Sequence, residues 1–245
     1  GLRDLNGNIM QESLFSLREN LLLEQPQSQT NVLVSLTQAA PDGGDSLLVS
    51  AVKRLSDRLG ITVQQAAHAW VDAYCQQVLK PLFTAEADYG LVLLAHQQNI
   101  LVQMLGDLPV GFIYRDCQGS AFMPHATEWL DTIDEAQAEK IFTREQLLRY
   151  FPYYLLVNST FAVTAALGAA GLDSEANLMA RVRTLLAEVR DQVTHKTCLN
   201  YVLESPYWNV KGNFFCYLND HNENTIVDPS VIYFDFANPL QAQEV

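Results

Sequence analysis

His96-Gln97-Gln98-Asn99 is a four-residue polar island between two apolar runs, Leu91-Val92-Leu93-Leu94-Ala95 and Ile100-Leu101-Val102. A second polar break, Arg115-Asp116, ends the strand-like run Val110-Gly111-Phe112-Ile113-Tyr114. Flanks this apolar are usually inside, where imidazole, amide, guanidinium and carboxylate groups are costly unless paired or bound to something. Two such breaks so close together suggest a site. Asp116 can hold Mg²⁺ through a carboxylate oxygen, because Mg²⁺ takes one or two protein carboxylates and leaves other positions for phosphate and water. The bland alternatives are a core His and Asn that satisfy each other and nearby carbonyls, and an Arg–Asp pair that caps a hairpin.

Two further polar residues stand out. Asn158-Ser159-Thr160 interrupts the run from Tyr153 to Val163; Ser and Thr bond back to helical carbonyls readily, so Asn158 is the less easily excused. Lys211, the last basic residue, opens the final strand, and a solvated strand-edge lysine is its alternative reading. Asp220-His221-Asn222-Glu223 has metal-friendly chemistry but lies between two strand-like runs and reads as a turn. His68, His125 and His195 show no partner pattern. A P-loop, a dinucleotide glycine fingerprint, a nucleophile elbow and H-E-x-x-H are all absent from the sequence.

The elements that must position these residues follow from pattern. The first forty residues read as short strands and turns, closed by Pro41-Asp42-Gly43-Gly44. Asp45 or Ser46 can cap a helix that runs to Leu59 and ends at Gly60; Thr62 can cap the next, through Trp70 and Tyr74 towards Leu79. A third helix over about 85–105 would carry the island, with His96, Asn99 and Gln103 on one face. Residues 109–122 read as a hairpin, and 132–141, 143–150, 153–167 and 174–194 as helices. The tail from Lys211 to Phe236 returns to strand-like composition. The expectation is one α+β, helix-rich domain with small antiparallel β elements: an opening segment 1–43, helices over 44–107, a hairpin over 108–124, then helices and terminal strands over 125–245.

With 245 residues, 49% of them apolar, the chain can bury a full core. A net charge of −13 argues against nucleic acid or an anionic membrane surface as partner, although a phosphate-bearing small molecule fits if a few cations converge. Among the basic residues, Arg18, Arg115 and Lys211 are embedded in apolar context. No run is long and apolar enough for a transmembrane helix and the first residues carry no signal region, so a soluble cytoplasmic protein is expected. A start at Gly1 rather than Met also allows an excised piece of something longer. Cys75, Cys117, Cys198 and Cys216 are far apart and form no C-x-x-C pair, which fits reduced thiols better than a zinc site, an iron–sulfur cluster or disulfides.

Taken together, Tyr89-Gly90 through Ala95-His96-Gln97-Gln98-Asn99 and Tyr114-Arg115-Asp116-Cys117-Gln118-Gly119 resemble the C-terminal half of the NRPS-independent siderophore (NIS) synthetases, the aerobactin-synthetase-like IucA/IucC family. That family shows Y-G-x-x-x-E-A-H-x-Q-N followed by R-D-x-x-G. Leu17-Arg18-Glu19-Asn20, Trp70 to Tyr74, Val157-Asn158 and Trp208 to Lys211 match further elements in the same order. The resemblance implies a palm-like C-terminal domain of an enzyme that condenses citrate or a related carboxylic acid with an amine, hydroxylamine or alcohol, using ATP and Mg²⁺ through an acyl-adenylate. It implies His96, Arg115 and Asp116 as catalytic residues, with Asp116 on the metal, and Gln98, Asn99, Arg18, Asn158 and Lys211 as substrate or nucleotide ligands. The chain departs from the pattern at Leu94, where the family carries an acid. The phosphate-gripping N-terminal portion also has no counterpart here, so that portion is the expected partner and the 245 residues should not turn over alone. Homodimerisation is left open. Two other readings are carried: an iron-handling protein like the siderophore reductases, which would need clustered cysteines, and a helical interaction domain without a ligand, its polar island a specificity device.

Overall fold

A computed structural model describes residues 2–8, 10, 29–128, 140–212, 218 and 229–241. Strand β1 (Gln29–Val32) leads straight into a short helix α1 (Leu33–Thr37) whose Leu33 and Leu36 are fully buried. Helix α2 (Leu47–Leu59) starts where the sequence says: Ser46 accepts from the Val49 amide, and Gly60 closes the other end at φ +64°. Helix α3 (Val63–Tyr74) opens on a reciprocal capping box between Thr62 and Gln65. It runs through a π-helical turn (Cys75–Leu79) into α4 (Lys80–Tyr89).

At Gly90 the helix ends in the left-handed conformation, φ +67°. A Cβ there would also lie 2.8 Å from the Ala126 amide nitrogen, so glycine serves both the turn and the close approach. This overturns the helix expected over 85–105. The apolar run that follows is β2 (Leu91–Leu93), the island is a loop, and β3 (Ile100–Leu105) begins directly after it. The expected 109–122 hairpin is corrected as well: β4 (Leu108–Tyr114) pairs with β3 through the turn at Gly106-Asp107, whereas β5 (Ser120–Phe122) pairs with β2. Strand β3 is central in a three-stranded antiparallel sheet, β1-β3-β4. Arg54 and Arg58 of α2 both bond Asp107 at the tip of that hairpin.

Helix α5 (Arg144–Pro152) is capped by Thr143 and continues as a long π-helical segment (Tyr153–Thr160) into α6 (Phe161–Ala169). Helix α7 (Glu175–Gln192), capped by Ser174, and α8 (Thr197–Glu204) complete the helical layer. Strands β6 (Tyr207–Lys211) and β7 (Tyr233–Ala237) form an antiparallel pair. The expected helix over 132–141 lies mostly, and the Asp220–Glu223 turn wholly, outside the described residues, as does Arg18. One core cluster runs from Leu33 to Leu240, with Trp70, Tyr74, Phe83, Phe151 and Trp208 as its largest fully buried side chains. The chain is therefore an α+β fold rich in helix with small antiparallel sheets.

Candidate functional site

The island is shaped by its own backbone. The His96 amide donates to the Leu94 carbonyl at 2.9 Å and the Asn99 amide to the His96 carbonyl at 2.8 Å, so 94–99 is a tight turn between β2 and β3. The second polar break joins it across the end of the sheet. Strand β4 stops at Tyr114, and the Arg115 amide donates to the Asn99 carbonyl at 3.0 Å while its Nε donates to the Gln98 carbonyl at 2.9 Å. Asp116 then adopts φ +64°, in a region uncommon for side-chain-bearing residues and tolerated best by Asn and Asp. Because the strand ends there, Arg115 and Asp116 are freed from the alternation that would send them to opposite faces.

His96, Gln98, Asn99, Arg115 and Asp116 line one cleft of about 630 Å³, together with Val32, Val34 and Ser35. Sequence reasoning missed those last three. They come from the β1–α1 junction, about sixty positions away, and the Val34 amide donates to the Gln97 carbonyl at 3.1 Å to bring that wall in. The one local hint was a serine set beside the buried Leu33 and Leu36. Asn99 is buried at 5% exposure and Gln98 is exposed, so the wall runs from a sheltered amide to an open one.

Burial holds the His96 imidazole below its ordinary pKa; the Asp116 charge opposes that shift and the Arg115 charge adds to it. At neutral pH the ring is therefore uncharged, and it can accept a proton or a hydrogen bond. Asp116 supplies one carboxylate beside this imidazole and two amides. That set fits a hard cation whose other ligands are phosphate and water oxygens. Among the described residues no group of three His, Cys, Asp or Glu forms a self-sufficient metal cage.

The remaining expected residues are placed differently. Asn158 does not line the cleft; its Oδ1 accepts from the Gln97 amide at 3.4 Å, behind the island. Lys211 ends β6 opposite Tyr233, and the Tyr233, Tyr153, Tyr154 and His96 rings follow one another at centroid spacings of 6.0, 5.0 and 6.0 Å. Leu94, half-buried, packs near Gly119 at the base of the loop. The clustered thiolates of an iron–sulfur reductase have no match in the described cysteines. Cys75 and Cys198 are buried with their thiols pushed up by desolvation, and Cys117 is exposed.

Comparison with known proteins adds the lineage. The family model described as ferric iron reductase FhuF-like transporter matches residues 68–226. N(2)-citryl-N(6)-acetyl-N(6)-hydroxylysine synthase of Escherichia coli is 97% identical over the whole chain, which covers 43% of that enzyme. Its Vibrio mimicus counterpart is 43% identical, again over the whole chain and 42% of the enzyme. The structure of ATP-bound aerobactin synthetase IucA from a hypervirulent pathotype of Klebsiella pneumoniae superposes with a TM-score of 0.89 at 90% identity, over 99% of this chain and 42% of that one. The chain thus spans less than half the length of the curated relatives it matches.

Proposed function

We propose, for a chain that belongs to the FhuF-like family and is the C-terminal portion of an IucA/IucC-like NIS synthetase, that the cleft around His96 is the carboxylate-and-nucleotide wall of an ATP-dependent citrate–amine ligase. The observation that carries this reading is the convergence of His96, Gln98, Asn99, Arg115 and Asp116, from one loop and one strand end, on one polar cleft. The relatives' names supply the substrates: citrate as the acid, and N(6)-acetyl-N(6)-hydroxylysine acylated at N2 as the amine. A citrate carboxylate attacks the α-phosphorus of ATP, a C–O–P bond forms, and pyrophosphate leaves. The amine then attacks the acyl carbon, loses a proton and expels AMP.

Each residue has a role in that sequence. Gln98 and Asn99 donate amide hydrogens to carboxylate oxygens and fix the attacking one. The neutral His96 orients the acid and accepts the proton shed by the amine. Arg115, tied through Nε to the island, offers the rest of its fork to developing negative charge. Asp116 would hold Mg²⁺, which neutralises phosphate charge when bound. The grip on the β- and γ-phosphates comes from the part of the relatives' length that this chain does not span, and Arg18 and Lys211 stand as further ligands to test. A reaction that consumes ATP belongs in the cytoplasm; among the described residues no helix is long and apolar enough to cross a membrane.

The test is pyrophosphate exchange into ATP with citrate. An enzyme of the relatives' length that carries this sequence should exchange, Asp116→Asn should abolish exchange while leaving a cooperative melt, and the 245 residues alone should turn over no ATP. Robust turnover by the 245 residues would show that the phosphate site lies within them and sink the shared-site reading.

A further inference from the structure

The π-helical segment Tyr153–Thr160 lies directly under the island, and two consecutive residues on it hold the backbone on either side of His96. Ser159, fully buried, donates its hydroxyl proton to the Ala95 carbonyl, Oγ to O 2.7 Å. One residue earlier, Asn158 Oδ1 accepts from the Gln97 amide. One turn back, the Tyr154 ring stands beside the imidazole at 6.0 Å between centroids. The π winding is what makes this arrangement possible. With i→i+5 bonding, Ser159 also reaches the carbonyl of Tyr154, 3.0 Å away, in its own helix. A hydroxyl has one proton, and the shorter contact, to Ala95, is the one across the gap.

We propose that Ser159 is a positioning residue: its buried hydroxyl, with Asn158 as the opposing jaw, clasps the peptides flanking His96 and fixes the imidazole in the cleft. The proposal rests on the ligase reading above for its consequence, although the clasp itself is independent of it. Loss of the clasp leaves the Ala95 carbonyl in a buried spot without its hydroxyl donor, and the loop must shift to find another partner. The imidazole, carried between the two clasped peptides, then samples more than one position, which lowers turnover more than substrate binding.

The experiment has two arms. In the 245-residue chain, amide hydrogen exchange at His96, Gln97 and Asn99 is compared between the parent, Ser159→Ala and Asn158→Ala, with the α7 amides as internal reference. Exchange at the island should rise roughly tenfold in Ser159→Ala while α7 stays unchanged. Asn158 is half-buried, so Asn158→Ala keeps the test open should the serine variant fail to fold; it should loosen the Gln97 amide most. In an enzyme of the relatives' length, Ser159→Ala should lower kcat roughly tenfold with KM for citrate and ATP little changed, and Ser159→Cys, a weaker donor of similar size, should fall between. Unchanged exchange at the island in both variants overturns the clasp whatever the activity shows. Loosened amides with unchanged kcat uphold the clasp and overturn the catalytic reading of His96.

Discussion

The helical layer and the cleft solve opposite problems with the same kinds of residue. In the layer of α2, α3, α4 and α7, polar side chains serve the helices themselves: Ser46, Thr62 and Ser174 cap them, and Arg181 pairs with Asp72 between two of them. The interior is mostly Leu, Val, Ala and aromatic rings, and one carboxyl group, Glu86, is buried among them at 2% exposure with its pKa pushed up to about 8 by desolvation. In the cleft, the backbone is tied by backbone, by Arg115 and by the π-helical segment, and His96, Gln98, Asn99 and Asp116 line the space so formed. Under the proposed function, stability resides in the first region and chemistry in the second. The contrast teaches that substitutions in the two regions should separate cleanly in a melt and a rate measurement.

The sharpest test of that separation is His96→Ala in an enzyme of the relatives' length. The rate should drop by about two to four orders of magnitude, with a stability change of no more than about 2 kcal/mol in a thermal melt. A large melt shift with little rate loss would put His96 in the first category. Next in size, Trp70→Ala should cost about 3–5 kcal/mol in denaturant unfolding, because a fully buried indole stacked 5.7 Å from Tyr74 leaves a cavity that helices cannot close. Its pyrophosphate exchange per folded molecule should be unchanged.

Glu86 gives a pH signature for the helical layer. Its folded pKa lies above the ordinary value of 4.5, at about 8, so the folded state binds the proton more tightly than the unfolded one. Its contribution is present in full below about pH 4.5, falls away as pH rises, and levels off above about pH 8. Glu86→Gln should flatten that decline in a pH series of urea midpoints; a variant profile parallel to the parent's would show that Glu86 does not titrate there. Smallest, Thr62→Ala removes one half of the α3 capping box and should cost about 1 kcal/mol without touching activity.

Legibility in the sequence divided along the same line. Helices α2, α3, α5 and α7 were readable because side-chain caps and Gly60 punctuate them locally. The island reads as helical because Leu91–Ala95 is a short apolar run, for which periodicity does not separate a buried strand from a helix, although Gly90 ends the helix just before it. The partner of β4 was misread because pairing is decided by tertiary contacts: β2 and β5 find each other across the β3–β4 hairpin. The π-helical turns leave no periodic signal, so Asn158 and Ser159 stood out as polar residues in an apolar run while their place beneath His96 did not. That the polar breaks at His96 and Arg115-Asp116 belong together was legible from residue type and spacing, whereas Val32, Val34 and Ser35 joined the cleft only through folding.

The left-handed backbone at Asp116 has a bearing on how this sequence would drift. Glycine occupies φ +64° without the steric cost of a Cβ, on the order of 1 kcal/mol, and asparagine tolerates it about as well as aspartate. A population selected for heat resistance alone should accumulate glycine at position 116. If Asp116 holds the metal as proposed, the same population required to make its product should return aspartate, so the two selections would read out, at a single codon, what the carboxylate is worth to the organism.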